Sequence, residues 1–218
     1  ASNVYRNEEQ EKYVCRGIIN GDINFCQGFT EPSGGAELGS IQCRAVLDGD
    51  DFIVNGQKIY TSGDHAATHV YLMVRTDPEA PKHRGISILL VPMDTPGITI
   101  RPLYSIQNDP PAPMGTTYGH KKTNETFYEN VRVSKSALLG EINMGWYVGA
   151  MGLNLDRVGA SRYLLSVRRD EDIINWMKNK KLGEYDIREN EAIRDKTAEM
   201  WIEAQVCRLM TMRSMSIV

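Results

Sequence analysis

The stretch CQGFTEPSGGAELGS, residues 26–40, combines a hydroxyl, a proline and several residues with almost no side chain. Pro32 holds the residue before it in an extended conformation, so Thr30 and Glu31 lie at the predicted end of a strand. The small residues that follow, such as Gly35, let a ligand approach the main-chain N–H groups closely. On spacing alone the pattern favours a glycine-rich connection between the helix and the β zone. Contact with a large, flat ligand is the alternative.

A second group of suitable side chains, Tyr60, Thr61 and Ser62 before Gly63, also lies at a predicted strand end. An aromatic ring can stack on a planar ligand, and hydroxyl groups can hydrogen-bond to its edge. An ordinary barrel position followed by a turn explains the same residues without a ligand. The sequence therefore leaves both interpretations open for this group.

Three polar residues, Asn154, Asp156 and Arg157, interrupt a helical segment that is otherwise apolar. Charges in such a place are unfavourable unless they are paired or used. Asn154 and Arg157 are three residues apart and share one helix face. The group indicates either an internal ion pair of Asp156 or a site that faces a ligand.

Composition excludes several classes of function. The net charge is −3, which gives no electrostatic case for nucleic acid or an anionic membrane. No run approaches the roughly 20 apolar residues of a membrane-spanning helix. The four cysteines show no CxxC or CxH spacing and are predicted to be free thiols in a reducing compartment. The histidines lack metal-ligand spacing, which predicts that there is no metal site. They are His65, His69, His83 and His120.

The 218 residues suffice for one large domain or two small ones, and three zones can be distinguished. A short helix is predicted at about 7–20, with Asn7 and Gln10 as a variant capping box. Alternating apolar residues over about 25–135 predict an antiparallel β-barrel or sandwich. Tight turns are expected at Asp48-Gly49 and Asn55-Gly56.

The remaining residues are predicted to form helices. The segment 145–167 is apolar nearly all round, which is typical of a buried helix. A second helix is expected to begin near Asp186, with Glu189 in the capping-box position. The Pro- and Gly-rich segment 105–122 is predicted to be a functional or mobile loop. The first residues do not resemble a signal peptide, and the last lie inside a helical pattern, so we expect a fragment or one subunit's ordered part.

Several motifs occur in the order found in one known family. The run resembles the middle and early C-terminal parts of acyl-CoA dehydrogenases, over about residues 7–165. It consists of CQGFTEPSGGAELGS, DGDDFIVNGQKIYTSG, VRTDPEAPKHRGISILLVPMDTPGITIRPL, NETFYENVRV and LLGEINMGWYVGAMGLNLDR. The resemblance implies an α+β flavoenzyme with FAD between a middle β domain and a C-terminal four-helix bundle. Residues 1–24 would end the N-terminal helical domain, 25–135 would form the β domain, and 136–218 would begin the bundle.

The resemblance also implies roles for individual residues. Thr30 would offer its hydroxyl and main-chain N–H to the polar edge of the flavin, and Tyr60 would pack on the ring. Asn154 and Arg157 would lie on the CoA-binding side. Other residues are implied as FAD contacts, with Ala36 also close to the acyl-CoA. They are Gln27, Phe29, Gly35, Ala36 and Ser62.

One branch of the family places its catalytic base directly before the arginine of a run such as L-x-L-E-R, and Asp156 occupies that position here. Burial beside a flavin would make this carboxylate a better base for a carbon acid. Aspartate is about 1.5 Å shorter than glutamate, however, and proton abstraction demands close geometry. An ion pair with Arg162 or a partner chain is the alternative, because many relatives use a glutamate later in the bundle.

Three departures distinguish this chain from the family pattern. Ala36 lacks the hydroxyl of the usual G-A-G-S-D, and Tyr60 replaces the usual tryptophan. The E-R-x-x-F-G motif, whose arginine reaches the FAD diphosphate of a neighbouring subunit, is absent. The nearest match, KNKKLG, has Asn179 and Leu182 at its key positions. The departures at Ala36 and Asn179 resemble those of the divergent subunits of heteromeric bacterial enzymes that act on bulky CoA esters such as steroid side chains.

Three hypotheses for function follow. The first is an FAD-dependent acyl-CoA dehydrogenase, as a fragment or subunit of a homo- or hetero-tetramer, with an electron-transfer flavoprotein as electron acceptor. The second is a structural subunit that completes a partner's FAD or CoA site without doing chemistry. The third is a relative of acyl-CoA oxidases or nitroalkane oxidases. The expected location is the bacterial cytoplasm, with the mitochondrial matrix as the alternative.

Overall fold

The computed structural model describes residues 5–103, 123–158, 160–179, 181–182 and 185–216. The chain forms two compact units, Ala1–Ala150 and Met151–Val218, and each is described by itself. The α+β class predicted from the sequence is confirmed. The division at residues 24 and 135 stays a prediction, and the predicted loop at 105–122 lies outside the described residues. In the part of the chain that the structure describes, no helix has both the length and the apolar composition of a membrane-spanning segment.

The first unit begins with a helical segment that is capped as predicted. It comprises α1 (Glu8–Gln10), a π-helical turn (Glu11–Cys15) and α2 (Arg16–Asn20). The amide N–H of Gln10 donates to Asn7 Oδ1 over 2.8 Å, and the amide of Asn7 donates to Gln10 Oε1 over 3.2 Å. Gly21 ends the segment with a φ of 82°, a conformation that favours glycine.

A seven-stranded mixed sheet fills most of the first unit. Its strands are β1 (Phe25–Gly28), β2 (Arg44–Asp48), β3 (Asp51–Ser62), β4 (His69–Arg75), β5 (Ile86–Pro92), β6 (Ile98–Pro102) and β7 (Thr123–Ser134). The order is β1-β4-β2-β3-β7-β6. Strand β5 lies off this path and pairs with β4 as well. The prediction of a wholly antiparallel sheet was wrong in one respect, because β1 and β2 both pair with β4 in parallel.

The two Asn/Asp-Gly dipeptides have different fates. Asp48-Gly49 opens the tight connection between β2 and β3, as predicted. The predicted turn at Asn55-Gly56 is wrong, because β3 runs through it with a bulge between Val54 and Gly56. Gly56 has a φ of 152°, and a Cβ there would lie 2.7 Å from the Cα of Cys43. Here glycine serves a bulge and a close backbone approach, not a reversal of the chain.

Apolar side chains from six of the seven strands form the core of this unit. Its buried members are Cys26, Cys43, Ala45, Phe52, Val54, Val70, Leu72, Val74, Leu89, Val91, Tyr128, Val131 and Val133. The alternation of Phe52 and Val54 with partly exposed neighbours continues to Lys58, which is fully buried. A lysine at an inward position of a strand requires a buried partner.

The second unit is helical. Helix α3 (Gly145–Val158) begins in the first unit and continues into the second. It is followed by α4 (Ala160–Asn179), the short strands β8 (Lys181–Leu182) and β9 (Tyr185–Asp186), and α5 (Glu191–Met215). The predicted helix start near Asp186 was early by one 3₁₀ turn. Asn190 is the N-cap of α5 and accepts from the amide of Ile193 over 3.1 Å. The segment 145–167 was predicted to be one helix buried nearly all round, but Leu164 and Leu165 on α4 are exposed.

Candidate functional site

The two strand ends that the sequence singled out are neighbours. The amide N–H of Ile59 donates to the carbonyl oxygen of Thr30 over 2.9 Å. The loop after β1 therefore lies directly beside the end of β3, and the bond is made by the residue that precedes Tyr60. Thr30 is half-buried and Tyr60 is 62% exposed. This bond brings the predicted ring-binding residues together in one place on the first unit.

Tyr60 occupies a strained position. Its φ is 59°, in the left-handed region that non-glycine residues rarely adopt, and the register of β3 against β7 shifts between Ile59 and Thr61. The bulge leaves Tyr60 and Ser62 exposed while Thr61 between them is buried. Within the described residues the Thr61 hydroxyl has no hydrogen-bond partner. Strain held in this way is a pointer to function, because the surrounding structure must enforce it.

The glutamate of the Thr30-Glu31-Pro32 segment is buried and fully engaged. Its carboxylate accepts from the amide of Gln42 over 2.6 Å, from the amide of Cys43 over 2.9 Å and from Lys58 Nζ over 2.7 Å. One side chain thus ties the beginning of the loop to its end and to β3. Glu31 is a structural anchor of the predicted ligand-binding loop, not a group offered to a ligand.

Arg75 holds the far end of the same loop. Its guanidinium donates to the carbonyl oxygens of Gly39 over 2.5 Å, Ile41 over 3.2 Å and Lys82 over 2.7 Å. Burial lowers the pKa of Arg75 below its ordinary value, and the nearby Glu31 and Asp77 carboxylates offset this only in part. The loop thus has its amides held by a carboxylate and its carbonyls by a guanidinium. Sequence analysis missed this arrangement, since its members are far apart in the chain.

The other predicted FAD contacts differ in exposure. Gln27 on β1 is exposed, as are Gly35 and Ala36 in the loop. A Cβ on Gly35 would lie 3.0 Å from Thr30 Cγ2, so a larger residue there would have to displace the Thr30 methyl group by a few tenths of an ångström. Phe29 is buried, with its ring 5.6 Å from that of Tyr71. Its side chain belongs to the interior, so any ligand contact of Phe29 would involve its backbone.

A second buried carboxylate lies just after Ser62. Asp64 accepts hydrogen bonds from Thr126 Oγ1 over 2.7 Å and from the amide group of Asn124, both on β7. Asp64 is 1% exposed, and the chain turns back within the same loop through the Ala67 amide and the Asp64 carbonyl oxygen. These bonds fix the turn that follows the Tyr60 bulge. Among the described residues, no group of His, Cys, Asp and Glu could hold a metal ion.

The polar residues of α3 are exposed where the structure describes them. The side chains of Asn154 and Asp156 are exposed, which differs from the predicted burial. Those of Arg157 and Arg162 lie outside the described set, so the predicted ion pair stays untested. At the end of α4, the Asn179 amide group donates to the carbonyl oxygen of Asn175 over 2.8 Å. The residue at the expected arginine position is thus turned back onto its own helix.

Two family profiles match the chain. The profile of the acyl-CoA dehydrogenase middle domain matches residues 26–118, and that of the C-terminal domain matches residues 143–218. Acyl-CoA dehydrogenase FadE29 of Mycobacterium tuberculosis is 41% identical over 155 residues, which are 71% of this chain and 37% of the relative.

Solved structures give the same picture. The Tcur3481-Tcur3483 steroid ACAD G363A variant is similar with a TM-score of 0.70 and 36% identity, over 98% of this chain and 52% of that one. The ChsE4-ChsE5 complex of Mycobacterium tuberculosis is similar with a TM-score of 0.63 and 31% identity, over 97% and 52% of the two chains. The chain spans about half the length of these proteins.

Proposed function

Because this chain belongs to the acyl-CoA dehydrogenase family, we propose that it is part of an FAD-dependent enzyme that introduces a double bond into an acyl-CoA thioester. The observation that carries the proposal is the hydrogen bond between Ile59 and Thr30. It joins the Thr30-Glu31-Pro32 loop to the Tyr60 bulge, so that a ring face and a polar ring edge can be contacted from one place.

The residues present suit a flavin ring. Within the described residues, the main-chain N–H of Thr30 has no intramolecular acceptor, and the Tyr60 ring is largely exposed. A buried strand end would satisfy such an N–H internally, so an open donor beside an exposed ring favours a planar, acceptor-rich ligand. When bound, the flavin would supply the acceptor for the hydride that leaves the substrate.

The chain's own residues would bind and orient. Thr30 and Ser62 would donate hydrogen bonds to the ring edge, and Tyr60 would pack on its face. The exposed backbone at Gly35 and Ala36 would approach the phosphates and the acyl-CoA, because small residues permit close contact. Gln27 and the Phe29 backbone would flank the ring.

The substrate side would be provided by α3. Asn154 and Arg157 would contact the CoA ester, and Asp156 would take the proton from the carbon next to the thioester. That carbon acid is weak, so the base must act at close range.

A structural subunit is the second candidate function. Ala36 has no hydroxyl for the ligand, and the Asn179 amide is bonded to its own helix, so two usual ligand contacts are missing. The two solved relatives are named as a Tcur3481-Tcur3483 enzyme and a ChsE4-ChsE5 complex. By analogy we propose a hetero-tetramer with a second, related subunit, although a homo-tetramer is the alternative.

The steroid ACAD relative favours a bulky CoA ester as substrate. An electron-transfer flavoprotein would accept the electrons. We place the enzyme in the bacterial cytoplasm, with the mitochondrial matrix as the alternative.

The experiment is to purify the full polypeptide with its partner and to measure FAD per chain. One FAD per chain, and bleaching of flavin absorbance on anaerobic mixing with an acyl-CoA, is the result expected of a dehydrogenase. Half an FAD per chain indicates the structural subunit, and an assembly without FAD overturns the proposal. Rapid reoxidation of the reduced flavin by oxygen would identify an oxidase instead.

A further inference from the structure

Lys58 makes contacts that bear on how the ring-binding loop is oriented. Its side chain is fully buried, and its Nζ lies 2.7 Å from Glu31 Oε1 and 3.2 Å from the carbonyl oxygen of Phe29. We propose that Lys58, with Glu31 as its counterion, is a positioning residue that turns the Phe29–Thr30 peptide so that the Thr30 N–H faces the flavin. This inference rests on the proposed function.

The peptide geometry supplies the first step. A peptide bond between two non-proline residues is trans, so its C=O and N–H point in opposite directions. The Phe29 carbonyl points inward, towards Lys58. The N–H of Thr30 therefore points away from Lys58, and within the described residues it meets no acceptor. Lys58 thus orients the donor of the neighbouring residue without touching the ligand itself.

The second step concerns rigidity. The carbonyl oxygen of Thr30 is held by the Ile59 amide, and the carboxylate of Glu31 is held by three donors. Lys58 donates to the carbonyl oxygen of Phe29, and Ile59 donates to that of Thr30. These two consecutive residues of β3 therefore hold both peptide groups that flank the Thr30 Cα. A donor that is oriented before the ligand arrives needs no reorganisation on binding, which strengthens its contact.

The third step is the choice of a charged pair. Glu31 and Lys58 are both buried, and each would be unfavourable there alone. A carboxylate can accept from two backbone amides and an ammonium at once, and an ammonium can donate to both a carboxylate and a carbonyl. Together they satisfy the interior of the loop while leaving the Thr30 N–H outside. A role in stability alone is the competing explanation, so the test must measure the flavin as well.

The experiment compares variants of the full polypeptide in its assembly, with FAD as the probe. Lys58→Met removes the ammonium and keeps most of the volume. Val91→Ala, in the buried core of β5, is the control for loss of stability without a change at the loop. We expect Lys58→Met to raise the FAD dissociation constant about tenfold relative to Val91→Ala, and to shift the flavin absorption spectrum. The control should keep the wild-type spectrum.

Lys58→Met leaves the Glu31 carboxylate without its counterion and is liable to misfold. The double variant Lys58→Met/Glu31→Gln carries no buried charge at this position and is expected to show the same spectral shift. A folded Lys58 variant whose spectrum and dissociation constant match those of the control overturns the inference but not the proposed function. A wild-type assembly that binds no FAD overturns both.

Discussion

The amide of Ile59 donates a 2.9 Å hydrogen bond to the carbonyl oxygen of Thr30, and this bond joins two segments that the sequence marks independently. The bulge after Ile59 then turns Tyr60 into a left-handed conformation with its ring exposed. The segment after β1 could not shift along β3 without losing this bond and the contacts of Glu31. The predicted ligand face is therefore a property of the packing between the loop and the strand, not of either segment alone.

Thr30→Ala tests the contact with the ring edge. The substitution removes the hydroxyl and leaves the backbone bond to Ile59 intact. We expect FAD binding to weaken by about 1 kcal/mol, because that is the usual net contribution of one hydrogen bond. Titration of the apo-assembly with FAD, followed by flavin fluorescence, measures it. Thr99→Ala, at an exposed position of β6, is the matched control and should bind FAD as wild type does. Equal affinity of the two variants would exclude the Thr30 hydroxyl, but not its main-chain N–H, as a contact of the ring.

Gly49 and Gly56 differ in how much space and how much backbone freedom a side chain would have. Both have positive φ, but a Cβ on Gly49 meets nothing within 4 Å, whereas one on Gly56 lies 2.7 Å from the Cys43 Cα. Gly49→Ala is expected to lower the free energy of unfolding by about 1 kcal/mol. Gly56→Ala should lower it by about 3 kcal/mol, since strain and overpacking add. Urea unfolding followed by circular dichroism measures both. Equal losses would show that the sheet relaxes around Cys43.

We expect His69 to make the stability of the first unit depend on pH. Its ring is buried against those of Phe25 and Tyr13, and this burial lowers its pKa, while the Asp94 carboxylate raises it by less. The unfolded chain therefore binds a proton at higher pH than the folded chain does. Between the two pKa values stability rises with pH, so we expect the free energy of unfolding to decrease as pH falls below about 6.5.

Replacement of His69 by phenylalanine tests this cause. The variant keeps a ring in the cluster with Phe25 but cannot bind a proton. Its free energy of unfolding, measured by urea titration from pH 5 to pH 8 in steps, is expected to vary less with pH than that of wild type. His65→Gln, at an exposed position, serves as the control and should keep the wild-type slope. An unchanged slope in His69→Phe would assign the pH dependence to other groups.

Local patterns were enough to predict most of the sheet. Alternating apolar residues over about 25–135 predicted that this stretch forms strands, and Asp48-Gly49 predicted the connection between β2 and β3. Asn55-Gly56 was wrongly predicted to be a turn, because a glycine with positive φ can form a bulge as well as a turn. Only the close approach of the Cys43 backbone, which the sequence does not show, distinguishes the two. The parallel pairing of β1 with β4 could not be predicted from local patterns either, because it depends on how the chain crosses the sheet.

In the candidate site, too, local sequence patterns revealed some residues and not others. Thr30 and Tyr60 were recognisable because their neighbours in sequence break a strand pattern. Lys58 was not, because its importance comes from Glu31 and from the Phe29 carbonyl, far away along the chain. Its inward position in the alternation of β3 was the available signal. A lysine on the buried face of a strand points to a buried carboxylate elsewhere.

Asp156→Asn tests the catalytic base. The variant keeps the shape of the side chain but cannot accept a proton, so we expect flavin bleaching in the intact assembly to slow about 100-fold or more, which is within the usual contribution of a general base. Stopped-flow mixing with an acyl-CoA under anaerobic conditions measures the rate. Asp172→Asn, at an exposed position of α4, is the control and should bleach as wild type does.

Asp156→Glu separates the carboxylate from its reach. Asp156 is one methylene shorter than the glutamate found at this position in one branch of the family, about 1.5 Å of distance to the substrate. If Asp156 takes the proton, Asp156→Glu must bleach far faster than Asp156→Asn, because it restores a carboxylate where the amide has none. FAD content and substrate binding must be unchanged in both, since a lost ligand also abolishes bleaching. Wild-type rates in Asp156→Asn would place the base outside this part of the chain, on a partner or a later helix, and would favour the structural subunit.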